Sequence, residues 1–124
     1  MNRNSVFLGV LAALWAGSAP ASNWVPVGKN NAGTSYDVDW DSLRRQGNLV
    51  TFTVRVQYAP AIARTGADGF TAIRQANCAD RTYTDIHTDY MKGGKVLNST
   101  TPEDKQKVAA GSIAAAVLEK VCSR

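Results

Sequence analysis

Few residues in this chain could carry chemistry. The one histidine, His87, is the side chain whose charge ordinarily changes near neutral pH. Asp85 and Asp89 flank it at two-residue spacing. In an extended strand alternate residues share a face, so Asp85, His87 and Asp89 are expected in one row. With a nearby Ser or Thr, such a row holds the residue types of a nucleophilic triad; by itself it resembles a weak metal site. A triad needs convergent geometry that spacing does not supply. There is no G-x-S-x-G elbow and no Gly-rich phosphate loop. His87 therefore reads as a solvent-facing strand residue, with no catalytic, metal-ligating or cofactor-binding residue assigned and no cofactor implied.

The two cysteines, Cys78 and Cys122, are the other reactive pair. Redox-active pairs usually stand as C-x-x-C, and these do not. In an exported chain two distant thiols read as one disulfide. Closing a loop of that length removes unfolded-chain entropy worth roughly 4 kcal/mol. The basic residues Arg44, Arg45, Arg55, Arg64, Arg74, Arg81, Lys92, Lys95, Lys105, Lys107, Lys120 and Arg124 are scattered. Arg55 and Arg74 could line a polar sheet face beside Tyr83 or Tyr90. That face would suit a protein or glycan ligand, or be merely solvated; nucleic acid is not an expected partner.

The compartment is written at the N-terminus. Asn2 and Arg3 make a short positive segment, residues 6–15 (VFLGVLAALW) are apolar, and Ala19-Pro20-Ala21 fits an A-x-A cleavage site. A ten-residue run is too short to span a bilayer, which needs about 20 apolar residues. Residues 1–21 are thus expected to be a cleaved signal peptide, and 22–124 a single domain with no transmembrane span. No cysteine lies near the cut to carry a lipid anchor. The whole chain has 124 residues, a net charge of +4, 44% hydrophobic and 19% charged residues, which is globular rather than disordered composition. Periplasm, cell surface and secretion all remain open as destinations, and so does the oligomeric state.

The elements that must position these residues are mostly strands. Residues 24–27 and 34–38 read as short strands joined by the turn-rich GKNNAG, with Pro26 marking an edge. Residues 39–45 read as one helical turn capped by Asp39. The clearest strand is 49–58, where Val50, Phe52, Val54, Val56 and Tyr58 alternate with Thr51, Thr53, Arg55 and Gln57. Residues 59–69 form a loop, 70–78 and 81–91 are strands, and Lys92-Gly93-Gly94 turns into a last strand at 95–99. Thr101-Pro102-Glu103-Asp104 has the signals of a helix start. Ser112 caps a second helix over 113–122, with Ile113, Ala116, Val117 and Val121 as its apolar face. Trp24 and Trp40 are expected as core anchors, with an exposed role for Trp40 as the alternative. The fold class is α+β: an antiparallel sheet of about six strands, a C-terminal helix packed on one face, and one disulfide.

In this order the pieces resemble the surface-adhesin protein E family of Gram-negative bacteria. The resemblance rests on Trp24-Val25-Pro26-Val27-Gly28 after a signal peptide, Thr34-Ser35-Tyr36-Asp37-Val38-Asp39, and Ser42-Leu43-Arg44-Arg45-Gln46-Gly47-Asn48. It continues with Cys78-Ala79-Asp80-Arg81, with Gly111-Ser112 opening the final helix, and with Cys122 at its end. An export signal, a small stapled fold and no catalytic motif point to a small exported, non-catalytic binding or envelope domain; the resemblance implies the same sheet, helix and disulfide. It also implies, as an alternative, an adhesin for host extracellular-matrix or serum proteins. A periplasmic hydrolase or an inhibitor of one is a further alternative.

Overall fold

The computed structural model describes residues 22–60 and 66–124. The expected export segment 1–21, Arg64 and the middle of the 59–69 loop lie outside the described residues. The strands are β1 (Trp24–Lys29), β2 (Ser35–Gln46), β3 (Leu49–Gln57), β4 (Gly69–Asn77), β5 (Thr82–Lys92), β6 (Lys95–Thr100) and the short β7 (Gln106–Lys107). One helix follows, α1 (Ile113–Cys122). The sheet is an antiparallel meander in the order β1-β2-β3-β4-β5-β6, and β7 pairs with β5.

One transverse row shows why the helix sits where it does. Val25, Val38, Val54, Ala72, Thr88 and Thr100 are register partners across all six strands of the meander. The row is apolar over β1 to β4 and turns to hydroxyls on β5 and β6. α1 packs at the apolar end, and its Ala115, Val117, Leu118 and Val121 join Val38, Val50, Phe52, Val54 and Ala76 in the core. The buried helix stripe includes Val117 and Val121 as expected. Ala115 and Leu118 are buried in it, whereas Ile113 and Ala116 are only half-buried. Ile113 instead reaches toward Gly28, where an added Cβ would come within 3.4 Å of its Cδ1.

The helix is pinned at both ends. Ser112 Oγ accepts from the Ala115 N–H at 3.1 Å, the N-cap expected from the sequence. Cys122 is bonded to Cys78, where β4 turns toward β5, with Cα atoms 5.9 Å apart. Arg45 Nη1 donates to the Cys122 carbonyl at 2.9 Å, supplying a cation where the helix leaves carbonyls unpaired.

Three expectations fail, each for a tertiary reason. Residues 39–45 are not a helical turn but a wide bulge within β2. Asp39 pairs with Thr53 and Arg44 with Thr51, so residues 40–43 stand opposite Phe52 alone. Ser42 replaces the missing backbone partner: its Oγ accepts from the Thr53 N–H at 2.8 Å and donates to the Asp39 carbonyl at 2.7 Å. Asp39 does bind free backbone donors, those of Asn23 and Asp41, but in the bulge. The helix expected from Thr101 is also absent. Residues 101–110 offer one large apolar side chain, Val108, too little for a buried helical stripe. β7 pairs with the open edge of β5, and the Val108 N–H donates to the Arg81 carbonyl at 2.9 Å. Trp24, finally, is not in the core: it lies on the opposite face from α1, under Arg55. Trp40 is half-buried against the core and has the Arg124 guanidinium 5.0 Å from its ring.

The disulfide closes a separation of 44 residues. Replacing both cysteines, Cys78→Ala with Cys122→Ala, is expected to lower unfolding free energy by about 4 kcal/mol. Urea unfolding monitored by far-UV circular dichroism checks this, and adding reductant to the unchanged protein should give a similar loss.

Candidate functional site

The sheet has two faces, and register assigns the candidate residues between them. Arg55 pairs with Asp37 and Thr71 on the outer face, away from α1. Its Nη2 donates to Asp37 Oδ2 at 3.0 Å, and its guanidinium carbon lies 4.4 Å over the Trp24 ring. Arg74 pairs with Phe52 and Asp85, on the inner face toward α1. Tyr83 and Tyr90 are inner as well, opposite Ala76 and Phe70. Three of the four residues expected on one polar face thus come together, and Arg55 stands on the far side of the sheet.

The row expected at Asp85, His87 and Asp89 is split by a bulge. Ile73 pairs with His87 and Arg74 with Asp85, which leaves Ile86 without an opposite residue. One extra residue reverses the alternation. Asp85 therefore points inward with Arg74, and His87 and Asp89 point outward. On the outer face His87 Nε2 lies 2.7 Å from Asp89 Oδ1, and Ser99 Oγ donates to the same oxygen at 2.6 Å. The hydrogen bond from Ser99, and then the one from His87, hold the Asp89 carboxyl below its ordinary range. In a serine-nucleophile triad the imidazole stands between serine and carboxylate. Here the carboxylate is in the middle, so the serine proton is committed to Asp89. Among the described residues no group of three His, Cys, Asp or Glu side chains is placed to hold a metal ion.

The inner face holds the more elaborate arrangement. Arg74 Nε and Nη2 donate to the two Asp85 oxygens at 2.7 and 3.2 Å. Arg74 is 6% exposed and Asp85 9%. The Tyr83 ring lies 4.0 Å from the guanidinium carbon of Arg74. Beyond this pair run the aromatics: Tyr58 and Phe70 have centroids 6.2 Å apart, and Phe70 and Tyr90 5.8 Å. Burial pushes the Tyr36 phenol above its ordinary range, against the pull of Arg74. Burial raises Tyr58 as well, with Tyr90 and Tyr36 adding to it. Between Tyr36, Arg74, Tyr83, Tyr90, Glu103 and the start of α1 is a cavity of 340 Å³. A larger depression of 430 Å³ near Tyr58 has its wall at Pro60, where the described residues stop.

With six meander strands, the single helix and the Cys78–Cys122 bond in place, comparison with known families is decisive. The family model for surface-adhesin protein E matches residues 24–123.

The chain belongs to the surface-adhesin protein E family.

Neither the curated proteins nor the solved structures give a significant match to it. The match spans the sheet and α1 of this surface-adhesin E domain, including both cysteines and the inner-face tyrosines. Family membership is consistent with an adhesin-like, exported or surface protein. Among its described residues no helix is long and apolar enough to cross a membrane. The sequence signal that identified Arg74, Tyr83 and Tyr90 was side-chain type. What it missed was Asp85 as the Arg74 partner, because the Ile86 bulge leaves no trace in composition or periodicity.

Removing one member of a buried ion pair strands the other. Arg74→Met is expected to cost about 3–5 kcal/mol, whereas Arg74→Met with Asp85→Leu should recover most of that loss; chemical unfolding of the two variants checks it. The raised Tyr36 and Tyr58 values have a definite sign. Their contribution to stability is complete below the unfolded phenol pKa of about 10 and disappears as pH rises through the folded values. Thermal melts should therefore show a midpoint that falls on entering the alkaline range, and less steeply in Tyr36→Phe.

Proposed function

We propose that this chain is an exported, non-catalytic binding domain of the cell envelope, and that its protein-binding surface is the β6 edge with the adjoining outer face. Cleavage after Ala21 would release residues 22–124 as the working domain. The observation that carries this reading is the state of β6. Its inner neighbour is β5, and no strand among the described residues pairs with its other edge. Val96 and Leu97 on it are each 53% exposed. An open edge with exposed apolar side chains is a template for an added strand from another protein.

The outer face gives that edge a rigid polar border. The row Pro26, Asp37, Arg55, Thr71, Asp89 and Ser99 crosses the sheet. Arg55 is fixed between Trp24 and Asp37, and Asp89 between His87 and Ser99. Side chains held this way lose little freedom when a partner docks. The position of the carboxylate between Ser99 and His87 supports binding rather than hydrolysis as the role of this surface. Adhesin-like binding of matrix or serum proteins is the finer form of the reading and requires display outside the outer membrane.

Location and binding are tested together. A C-terminal tag probed with an impermeant label on intact cells and on spheroplasts separates surface display from a periplasmic site. The purified domain is expected to bind an immobilised matrix or envelope protein, and Val96→Lys with Leu97→Lys should weaken that binding by at least about tenfold without changing the melting midpoint.

A further inference from the structure

The inner-face cavity plays no part in the edge reading above, and its construction is more specific than packing requires. Apolar side chains of similar volume would fill the end of the sheet beyond α1 at lower cost than a buried ion pair. Instead the wall carries Arg74, Asp85 and three tyrosines. The hydroxyls of Tyr36, Tyr83 and Tyr90 have no hydrogen-bond partner among the described residues, and none of them is enclosed away from solvent. Thr100, across the ladder from Thr88, has the single enclosed side-chain oxygen without a partner among the described residues. Hydrogen-bonding capacity therefore accumulates at this end of the inner face.

We propose that this cavity binds a neutral saccharide, of mono- or disaccharide size. Its 340 Å³ lies at the lower end of small-molecule sites, which run from about 300 to 1,000 Å³. A sugar ring has apolar C–H faces and a polar hydroxyl edge. The rings of Tyr83, Tyr90 and Phe70 offer flat apolar surface, and the phenol oxygens and Arg74 offer hydrogen bonds beside it. A guanidinium has five N–H donors, and the pair with Asp85 occupies two. Arg74 is held by Asp85 and the Tyr83 ring, so its remaining donors are presented without rotational freedom to lose.

Charge selects the class of ligand. Asp85 neutralises Arg74 at 2.7 Å, so a ligand anion must compete with a carboxylate already in place. A ligand cation meets the guanidinium itself. A polyhydroxyl compound meets neither conflict, because it donates to Asp85 and accepts from Arg74 without bringing net charge. The start of α1 at the rim favours an anion, and Glu103 on the same rim opposes one.

The test uses the purified domain, isotope-labelled, titrated with lactose, with chitobiose and with glucuronate as an anionic control. Saturable shifts of the Tyr83, Tyr90 and Arg74 side-chain resonances with a neutral disaccharide, and none at the Trp24 indole, are expected. A preference for chitobiose points to wall-type glycans and one for lactose to host-type glycans; both support the site. Tyr90→Ala should weaken binding by about tenfold, and Trp24→Ala should leave it unchanged. Should Tyr90→Ala fail to fold, Tyr90→Phe and the wild-type shift map decide. No shift with any neutral sugar, shifts with glucuronate alone, or binding indifferent to Tyr90 would overturn the proposal.

Discussion

The fold is governed by a mismatch of size. α1 runs along the strands, its start by Gly28 and its end bonded to Cys78, so an element about 10 Å wide and roughly 15 Å long lies on six paired strands that span about 24 Å. α1 therefore covers part of one sheet face and no more. Under it the inner row is valine and alanine; beyond it the same row becomes Thr88 and Thr100. The tyrosines, the Arg74–Asp85 pair and the cavity all lie at or past the limit of that cover. Their amphipathic character follows, since each must face a core on one side and water on the other.

Within that frame the two faces solve different problems. The outer face has no core to serve and ties its polar side chains to one another, as Ser99, Asp89 and His87 and as Arg55 with Asp37 over Trp24. The inner face cannot release its charges to water so easily. It matches Arg74 to Asp85 in a two-pronged contact and lays the guanidinium on Tyr83. The same residue type thus does different work in the two places: Arg55 is a half-exposed strut over Trp24, and Arg74 a nearly buried one.

Much of this architecture is legible in the residues themselves. The alternation along β3 assigns its faces, because apolar and polar side chains there obey period two without interruption. Ser112 and the apolar residues after it mark α1, and two cysteines 44 residues apart, not spaced as C-x-x-C, mark the disulfide. What cannot be read is every place where the period is broken by pairing. The bulge at residues 40–43 mimics a helical turn in composition, since Asp and Ser bind backbone donors equally well in both. The single extra residue Ile86 moves Asp85 to the opposite face from His87. β7 forms because β5 has an edge left to cover, which the local signals at Thr101 and Pro102 do not record. Local preference is weak where a tertiary partner is waiting.

The sequential order of the meander also bears on assembly. Every strand from β2 to β6 pairs with the one before it in the chain, so the sheet can grow as successive strands become available. The Cys78–Cys122 bond is different: one thiol lies between β4 and β5, the other in the last turn of α1. For a polypeptide that emerges N-terminus first, Cys122 arrives after every strand of the sheet. The covalent closure is therefore a late latch, available only once all the strands that it secures have emerged.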